Sequence, residues 1–329
     1  MALPSDSSHL SRPGQELGAG AVDALFIEEY GGAVEGTVMK KSFMRQYVDI
    51  KPVRGTDVIT NDRVGSVSLQ KVTPGVRPDG TPSVFDNVSV KVDTIVLARS
   101  NVALLDDFQS HFSTRMALGD EHGKTIAKFF DEAFIIQAIK CALRDATGLP
   151  TGWVGGTRVE LAAATDEVDP TKLQRGIEDV CQGIEEKDID LDGAVCLVAP
   201  AQYYALLRND KLVSADYSVG NGNYAKGMVL LSNGIPIVKT NRIPTAAVTD
   251  HYLSNAGNSA AYDLVAGDQT DAVAIVMLPK ALLAGETIPL TSDVYYEKSE
   301  LQWFIDSYLA FGVTANRPDN CGILLKYRA

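Results

Sequence analysis

Cysteine and histidine are scarce in this chain, and neither is arranged for chemistry. The four cysteines, Cys141, Cys181, Cys196 and Cys321, include no C-x-x-C pair, so neither a disulfide framework nor a zinc knuckle is expected. The four histidines, His9, His111, His122 and His251, are dispersed, with no two at the i,i+4 spacing that sets a pair of imidazoles on one helix face. They read as packed or solvated side chains, and no metal is expected. Basic charge is short too: 30 Lys and Arg stand against 42 Asp and Glu, a net charge of −12 with a pI near 4.8. Firm nucleic-acid binding draws on Lys and Arg that release counterions from phosphates, so gripping DNA or RNA is not the main task. No stretch approaches the ~18 uncharged apolar residues of a membrane span, and nothing near the N-terminus has the build of a signal peptide. The expectation is a protein of the cytoplasm or an equivalent compartment, with no membrane partner. No G-x-S-x-G elbow or comparable signature is present, so no catalytic residue is nominated.

What is there is the composition of a globular protein. Hydrophobic residues make up 45% and charged residues 22% of 329 positions, enough chain for one large or two ordinary domains with a real core. One stretch imitates a nucleotide-binding loop: in "ALGDEHGKTI", residues 117–126, Gly123, Lys124 and Thr125 read G-K-T. The phosphate-cradling loop needs glycine five positions before Gly123, where Leu118 stands, and Asp120 with Glu121 would set two negative charges against a polyphosphate. No apolar strand precedes it. The stretch reads instead as the opening turns of a helix, with Lys124 in solvent.

The order of elements is more telling. Residues 1–20 are rich in Ser, Gly and Pro without periodicity and read as a mobile arm, followed by short helical turns broken by Gly31, Gly32 and Gly36. Over residues 56–97, Val67 and Leu69 alternate with polar neighbours, "TPGVRPDGTP" supplies turn residues, and Val88, Val90 and Val92 alternate again. That is a long two-stranded hairpin. A lone ribbon is marginal in water, so its apolar face needs a partner, either the core of the same molecule or another copy of the chain. Ile126, Phe129, Phe130, Ala133, Ile136, Ile139 and Leu143 then recur at helical steps. They predict a helix from about Thr114 to Arg144, roughly 45 Å long at 1.5 Å per residue.

After the Gly-rich "TGLPTGWVGG", Pro170 opens a helix with Leu173, Ile177, Val180 and Ile184 on one face. "GAVCLVAP" reads as a buried strand, "AQYYALLRND" as a helix, and "GIPIVKTNRIP" and "DAVAIVMLP" as further strands. Gly220, Gly222 and Ala225 match the G-x-G-x-x-[GA] spacing of dinucleotide binders, but with no preceding strand and Thr240 where an acid would stand the stretch reads as a loop. From Thr287 the tail is aromatic and β-branched, predicting long strands. Its Trp303, Phe304, Tyr308 and Phe311 read as sheet core rather than as a stacking platform for bases, because no Arg or Lys surrounds them.

Four strings in this order, "ALFIEEYGGAVEGTVMKKSF", "VCLVAPAQYYALLRND", "NGIPIVKTNRIP" and "FGVTANRPDNCGILL" with Arg317 and Pro318, resemble the major capsid proteins of short-tailed podophages of the autographivirus, T-seven-like group. The resemblance covers nearly the whole chain. It implies an α+β chain of the Hong Kong 97 capsid fold: an N-terminal arm and short helical segment (1–55), an extended loop (56–97), a peripheral domain with a long spine helix (98–150), an axial α/β domain (151–284), return strands (285–316) and a C-terminal strand (317–329). It implies no enzyme and no cofactor. The function implied is self-assembly as hexamers and pentamers into an icosahedral shell around double-stranded DNA that is enclosed without sequence-specific binding. Implied partners are further copies of the chain, a scaffolding protein and a portal protein, with assembly in the bacterial cytoplasm and a final place in the virion. The contact expected with a neighbouring subunit is the tip of the loop: Thr73, Pro74, Gly75, Val76, Arg77, Pro78, Asp79 and Gly80. Lys71 and Lys91 lie in that loop, but no Lys–Asn crosslink is expected. An encapsulin-like cargo shell shares the fold and is the structural alternative; a nucleotide-binding enzyme is the alternative of another class.

Overall fold

A computed structural model describes residues 42–65, 67, 69–72, 74–75, 80, 84–105, 114–209, 222–223, 228–229, 231–232 and 234–328. The arm and helical turns expected over residues 1–41 lie outside them. In chain order the strands and α-helices are β1 (Ile50–Pro52), β2 (Val58–Val64), β3 (Phe85–Lys91), β4 (Val96–Ala103), α1 (Thr114–Leu143), β5 (Thr157–Glu160), α2 (Pro170–Glu185), β6 (Val195–Val198), α3 (Pro200–Leu206), β7 (Gly222–Asn223), β8 (Met228–Val229), β9 (Leu231–Ser232), β10 (Ile235–Lys239), β11 (Ala272–Met277), β12 (Leu282–Glu297), β13 (Gln302–Ala315) and β14 (Cys321–Leu325). By contacts the chain divides into two units. One holds Val92–Asp131 and Glu286–Phe311, with the described residues 42–44; the other holds Arg45–Lys91, Glu132–Gly285 and Gly312–Ala329. This division falls inside α1, β12 and β13, whereas the boundaries read from the sequence fall beyond the ends of α1.

The larger unit is organised by a six-stranded mixed sheet in the order β5-β14-β11-β6-β10-β9. Strand β14, set apart at the chain's end in the sequence reading, lies between β11, antiparallel to it, and β5, parallel to it. Every residue of β6, β11 and β14 is buried, which explains why these strands read as continuous apolar runs rather than alternations. Helix α2 covers the sheet with its predicted face, Leu173, Ile177, Val180 and Ile184. It starts where Asp169 accepts hydrogen bonds from the Thr171 and Lys172 amides and Pro170 fills the first turn. Burying each of these side chains stabilises the unit by about 2 kcal/mol. The approach is close enough that a Cβ at Gly322 of β14 would meet Val180 at 2.5 Å.

Helix α1 matches its predicted span closely. From Ala133 to Ala142 every apolar residue is buried, so this part is enclosed on all faces, beyond the single stripe its spacing suggested. Its end is sealed by the glycines that follow: the Gly156 amide donates to the Arg144 carbonyl at 2.8 Å, and a Cβ at Gly156 would collide with the Ala142 carbonyl.

In the smaller unit, β4 and β13 pair antiparallel from Leu309↔Val96 to Gln302↔Ala103. The tail aromatics behave as core and sheet surface: Phe311 is buried with its ring 4.8 Å from Phe130, and Phe304 stacks on Tyr295 at 5.5 Å. Asp131, fully buried, accepts from the Ser42 hydroxyl at 2.7 Å and from the Phe43 and Met44 amides at 3.3 Å each, tying the chain that enters this unit to α1.

One expectation about the hairpin needs correction. The alternation at Val67 and Leu69 suggested strand there, but the strands that pair are Val58–Val64 and Phe85–Lys91, and neither Val67 nor Leu69 belongs to a strand. Alternating apolar residues define a strand within a chain only where that chain offers a surface to bury them, and here they face solvent.

Candidate assembly surface

The hairpin β2–β3 has two parts with opposite character. Seven residue pairs, from Val58↔Lys91 to Val64↔Phe85, form its ladder, and the Gly65 amide extends it to the Val84 carbonyl at 2.8 Å. Within the ladder only Arg63 and Val90 are buried. Beyond its root the hairpin presents Val64, Val67, Leu69, Val72, Val84 and Phe85 to solvent, with Leu69 99% and Phe85 71% exposed. Lone exposed apolar residues are ordinary, but six on one hairpin make it the candidate surface for a partner.

The root is held by its own molecule. The Trp153 indole N–H donates to the Val64 carbonyl at 3.0 Å. The Asn61 amide donates to the Asn316 side-chain oxygen at 2.9 Å, while the Asn316 side chain donates to the Lys280 carbonyl at 3.2 Å. The backbone amides of Asn316 and Arg317 share the Ala281 carbonyl, at 2.8 and 3.0 Å. Two guanidiniums lie over the Trp153 ring, Arg317 at 4.4 Å and Arg63 at 5.4 Å from its centroid. Arg317 is also anchored to both Asp319 oxygens, at 3.3 and 2.8 Å. Of the two partners open to the hairpin, its root therefore leans on its own core, and its outer part is left without cover among the described residues.

Arg63 is the unusual member. Its residue is 2% exposed, yet none of its three guanidinium nitrogens has a hydrogen-bond acceptor, and its approach to Asp86 is 3.7 Å, too long for a hydrogen bond. Burial pulls its pKa below the ordinary guanidinium range, the like charge of Arg144 adds to the pull, and Asp86 opposes it.

Of the predicted loop-tip residues, Pro74, Gly75 and Gly80 are described and exposed. Gly75 adopts φ 90°, a turn conformation that favours glycine. Thr73, Val76, Arg77, Pro78 and Asp79 lie outside the described residues. Lys71 is exposed, and Lys91 pairs with Asp57 at 3.5 Å. The sequence reading missed the root: Arg63, Asn61, Trp153 and Asn316 are far apart in the chain, and the one available signal was Trp153, one of only two tryptophans, set in a Gly- and Pro-rich connection.

The sites that imitate enzymes are structural. Lys124 lies on the exposed side of α1 and pairs with Glu121 at 3.2 Å. Gly222 sits in the short strand β7, while Gly220 and Ala225 lie outside the described residues. His122 is buried between the hydroxyls of Ser100, at 2.7 Å, and Ser307, at 3.4 Å. All four cysteines are buried, and none forms a disulfide. Among the described residues no cluster of His, Cys, Asp or Glu could hold a metal ion, and no helix is long and apolar enough to cross a membrane.

The sequence pattern of the Gp10A-like major capsid proteins matches residues 87–298. The chain is a member of that family. This major capsid protein is similar to the mature capsid of bacteriophage PhiM1, at 28% identity and a TM-score of 0.74, with 88% of each chain covered. It is also similar to the capsid of cyanophage P-SCSP1u, at 21% identity and a TM-score of 0.76, covering 88% of this chain and 89% of that one. The virus-like particle from Pyrococcus furiosus shares the fold at 11% identity and a TM-score of 0.52, covering 91% and 99%. No curated protein matches the sequence. The capsid protein therefore has the Hong Kong 97-like fold. It is a structural component of a phage icosahedral shell and not an enzyme, and both the family and the likeness to the PhiM1 capsid favour that reading over a cargo shell.

Proposed function

We propose that this capsid protein builds the shell of a short-tailed phage of the autographivirus, T-seven-like group, as hexamers and pentamers closed around double-stranded DNA. Residues 56–97 are the extended loop laid over the neighbouring subunit, with Thr73 to Gly80 at the contact. Residues 98–150 and 285–316 form the peripheral domain around its spine helix, residues 151–284 the axial domain, and residues 317–329 the closing strand. A scaffolding protein and a portal protein are its assembly partners, and assembly takes place in the host cytoplasm. The observation that carries the reading is the hairpin whose root is fixed by its own chain while six apolar side chains beyond it stand in water. A heterologous contact of this kind, repeated around a ring, closes into hexamers or pentamers from one pair of surfaces. Subunit interfaces that last bury on the order of 2,000 Å² or more and are comparatively apolar, which is what such a ribbon supplies. A net charge of −12 leaves packaged DNA enclosed but not gripped.

Deleting Thr73 to Pro82 tests the loop. The shortened chain should keep its thermal unfolding temperature and, co-expressed with its scaffold, give no shells by negative-stain electron microscopy. Normal shells from the deletion would end this role for the hairpin.

A further inference from the structure

A guanidinium stripped of water costs several kcal/mol unless acceptors replace the lost hydrogen bonds. Arg63 has lost the water and has no such acceptor among the described residues: its three nitrogens are unbonded and Asp86 stands off at 3.7 Å. Its surroundings carry further positive charge, since Arg144 and Arg317 both act on it as like charges. The indole of Trp153, itself half-buried and bonded to the Val64 carbonyl, lies 5.4 Å from its guanidinium. Arg317, over the same ring, keeps its side chain 38% exposed. The hairpin root therefore gathers Arg63 and Arg317 over one partly exposed aromatic ring, with Asp86 and Asp319 as their only carboxylate partners among the described residues, in a chain that carries 42 acidic against 30 basic residues.

We propose that this root is an acceptor site for a carboxylate of a second copy of the chain, and that Arg63 receives its hydrogen bonds only on assembly. The proposal rests on the hairpin being the subunit contact, because the root is continuous with that surface through Val64 and Phe85. An incoming Asp or Glu that displaces the Trp153 indole reaches Arg63 and Arg317 together. Charge complementarity selects this occupant: the acidic surface of a sister subunit supplies carboxylates in excess, and an Arg–carboxylate pair is the strong, directional kind. In the free subunit Arg63 has only the long ion pair to Asp86 and no hydrogen-bond acceptor among the described residues, so it acts against folding and the unassembled chain is held below its attainable stability.

The sign of one substitution is therefore opposite to the ordinary expectation for a buried residue in contact with an aromatic ring. Arg63→Met keeps the length and removes the charge. The unassembled Arg63→Met subunit should melt a few degrees higher than wild type, while its shells should dissociate at least tenfold faster in denaturant. Arg63→Lys should keep wild-type shell stability to within about threefold. Electron cryo-microscopy of wild-type shells provides the direct check, with a neighbour's carboxylate oxygen expected within about 3 Å of an Arg63 nitrogen. A map in which Arg63 bonds only to its own chain or to water would overturn the proposal, as would a lower melting temperature for the free Arg63→Met subunit. Either result leaves the hairpin contact itself standing, since loss of that contact would show instead as an absence of wild-type shells.

Discussion

The six-stranded sheet and the hairpin β2–β3 differ in what they bury. In β6, β11 and β14 every residue is enclosed by the same molecule. In β2 and β3 only two residues are, one of them an arginine. The sheet is finished by its own chain; the hairpin, among the described residues, is not. On the proposed role of the hairpin, a stable fold and an assembling surface are kept in different parts of one polypeptide, so that changes in one need not damage the other.

Substitutions on either side of that division should separate stability from assembly. The largest effect on folding belongs to the sheet: Ile275→Ala in β11, at a fully buried position, should cost about 2–5 kcal/mol. Denaturant unfolding of the free subunit measures it, and a loss below 1 kcal/mol would show that the core is less tightly packed than described. Next comes the root. Trp153→Phe removes the hydrogen bond to Val64, worth about 1 kcal/mol, and hydrogen exchange should quicken in β2 and β3 with β11 unchanged. Equal acceleration in both would mean that hairpin and sheet unfold as one body.

A smaller effect follows from His122. Its burial lowers its pKa, so the folded state favours the neutral ring and the unfolded state takes up the proton first. Stability is then full above the unfolded value of about 6.5 and falls as pH drops below it. His251, also lowered by burial, acts in the same direction, so His122→Gln should reduce the acid slope of stability without abolishing it. An unchanged slope between pH 6.5 and 5 would remove His122 from the account. The smallest effect belongs to Lys124→Ala, which breaks one exposed i,i+3 pair and should shift stability by no more than about 0.5 kcal/mol. Isothermal titration with ATP should give no heat of binding for either form.

The finished regions were the legible ones. Helix α1, α2, β6 and β11 follow from periodicity and apolar runs, because a chain that buries its own side chains must space them by its own geometry. The hairpin's existence was also readable, but its register was not: Val67 and Leu69 alternate yet stand exposed among the described residues, and the paired strand "VITNDRV" hides an inward arginine. The root was not read, since Asn61 and Asn316 meet across 255 positions and only Trp153 marks it locally. The C-terminal "NRPDN" is polar apart from Pro318, yet Asn316, Asp319 and Asn320 are buried: Asn316 bonds Asn61 and the Lys280 carbonyl, Asp319 holds Arg317, and the Asn320 carbonyl accepts from the Leu278 amide.

The division between a finished core and an unfinished ribbon is tested most directly by the double substitution Leu69→Asp with Phe85→Asp, followed by light scattering with and without scaffold. Both side chains stand in solvent in the free subunit. The prediction is an unchanged melting temperature and particles no larger than a subunit under conditions where the wild type forms shells. Closed shells of wild-type size from the double variant would contradict it.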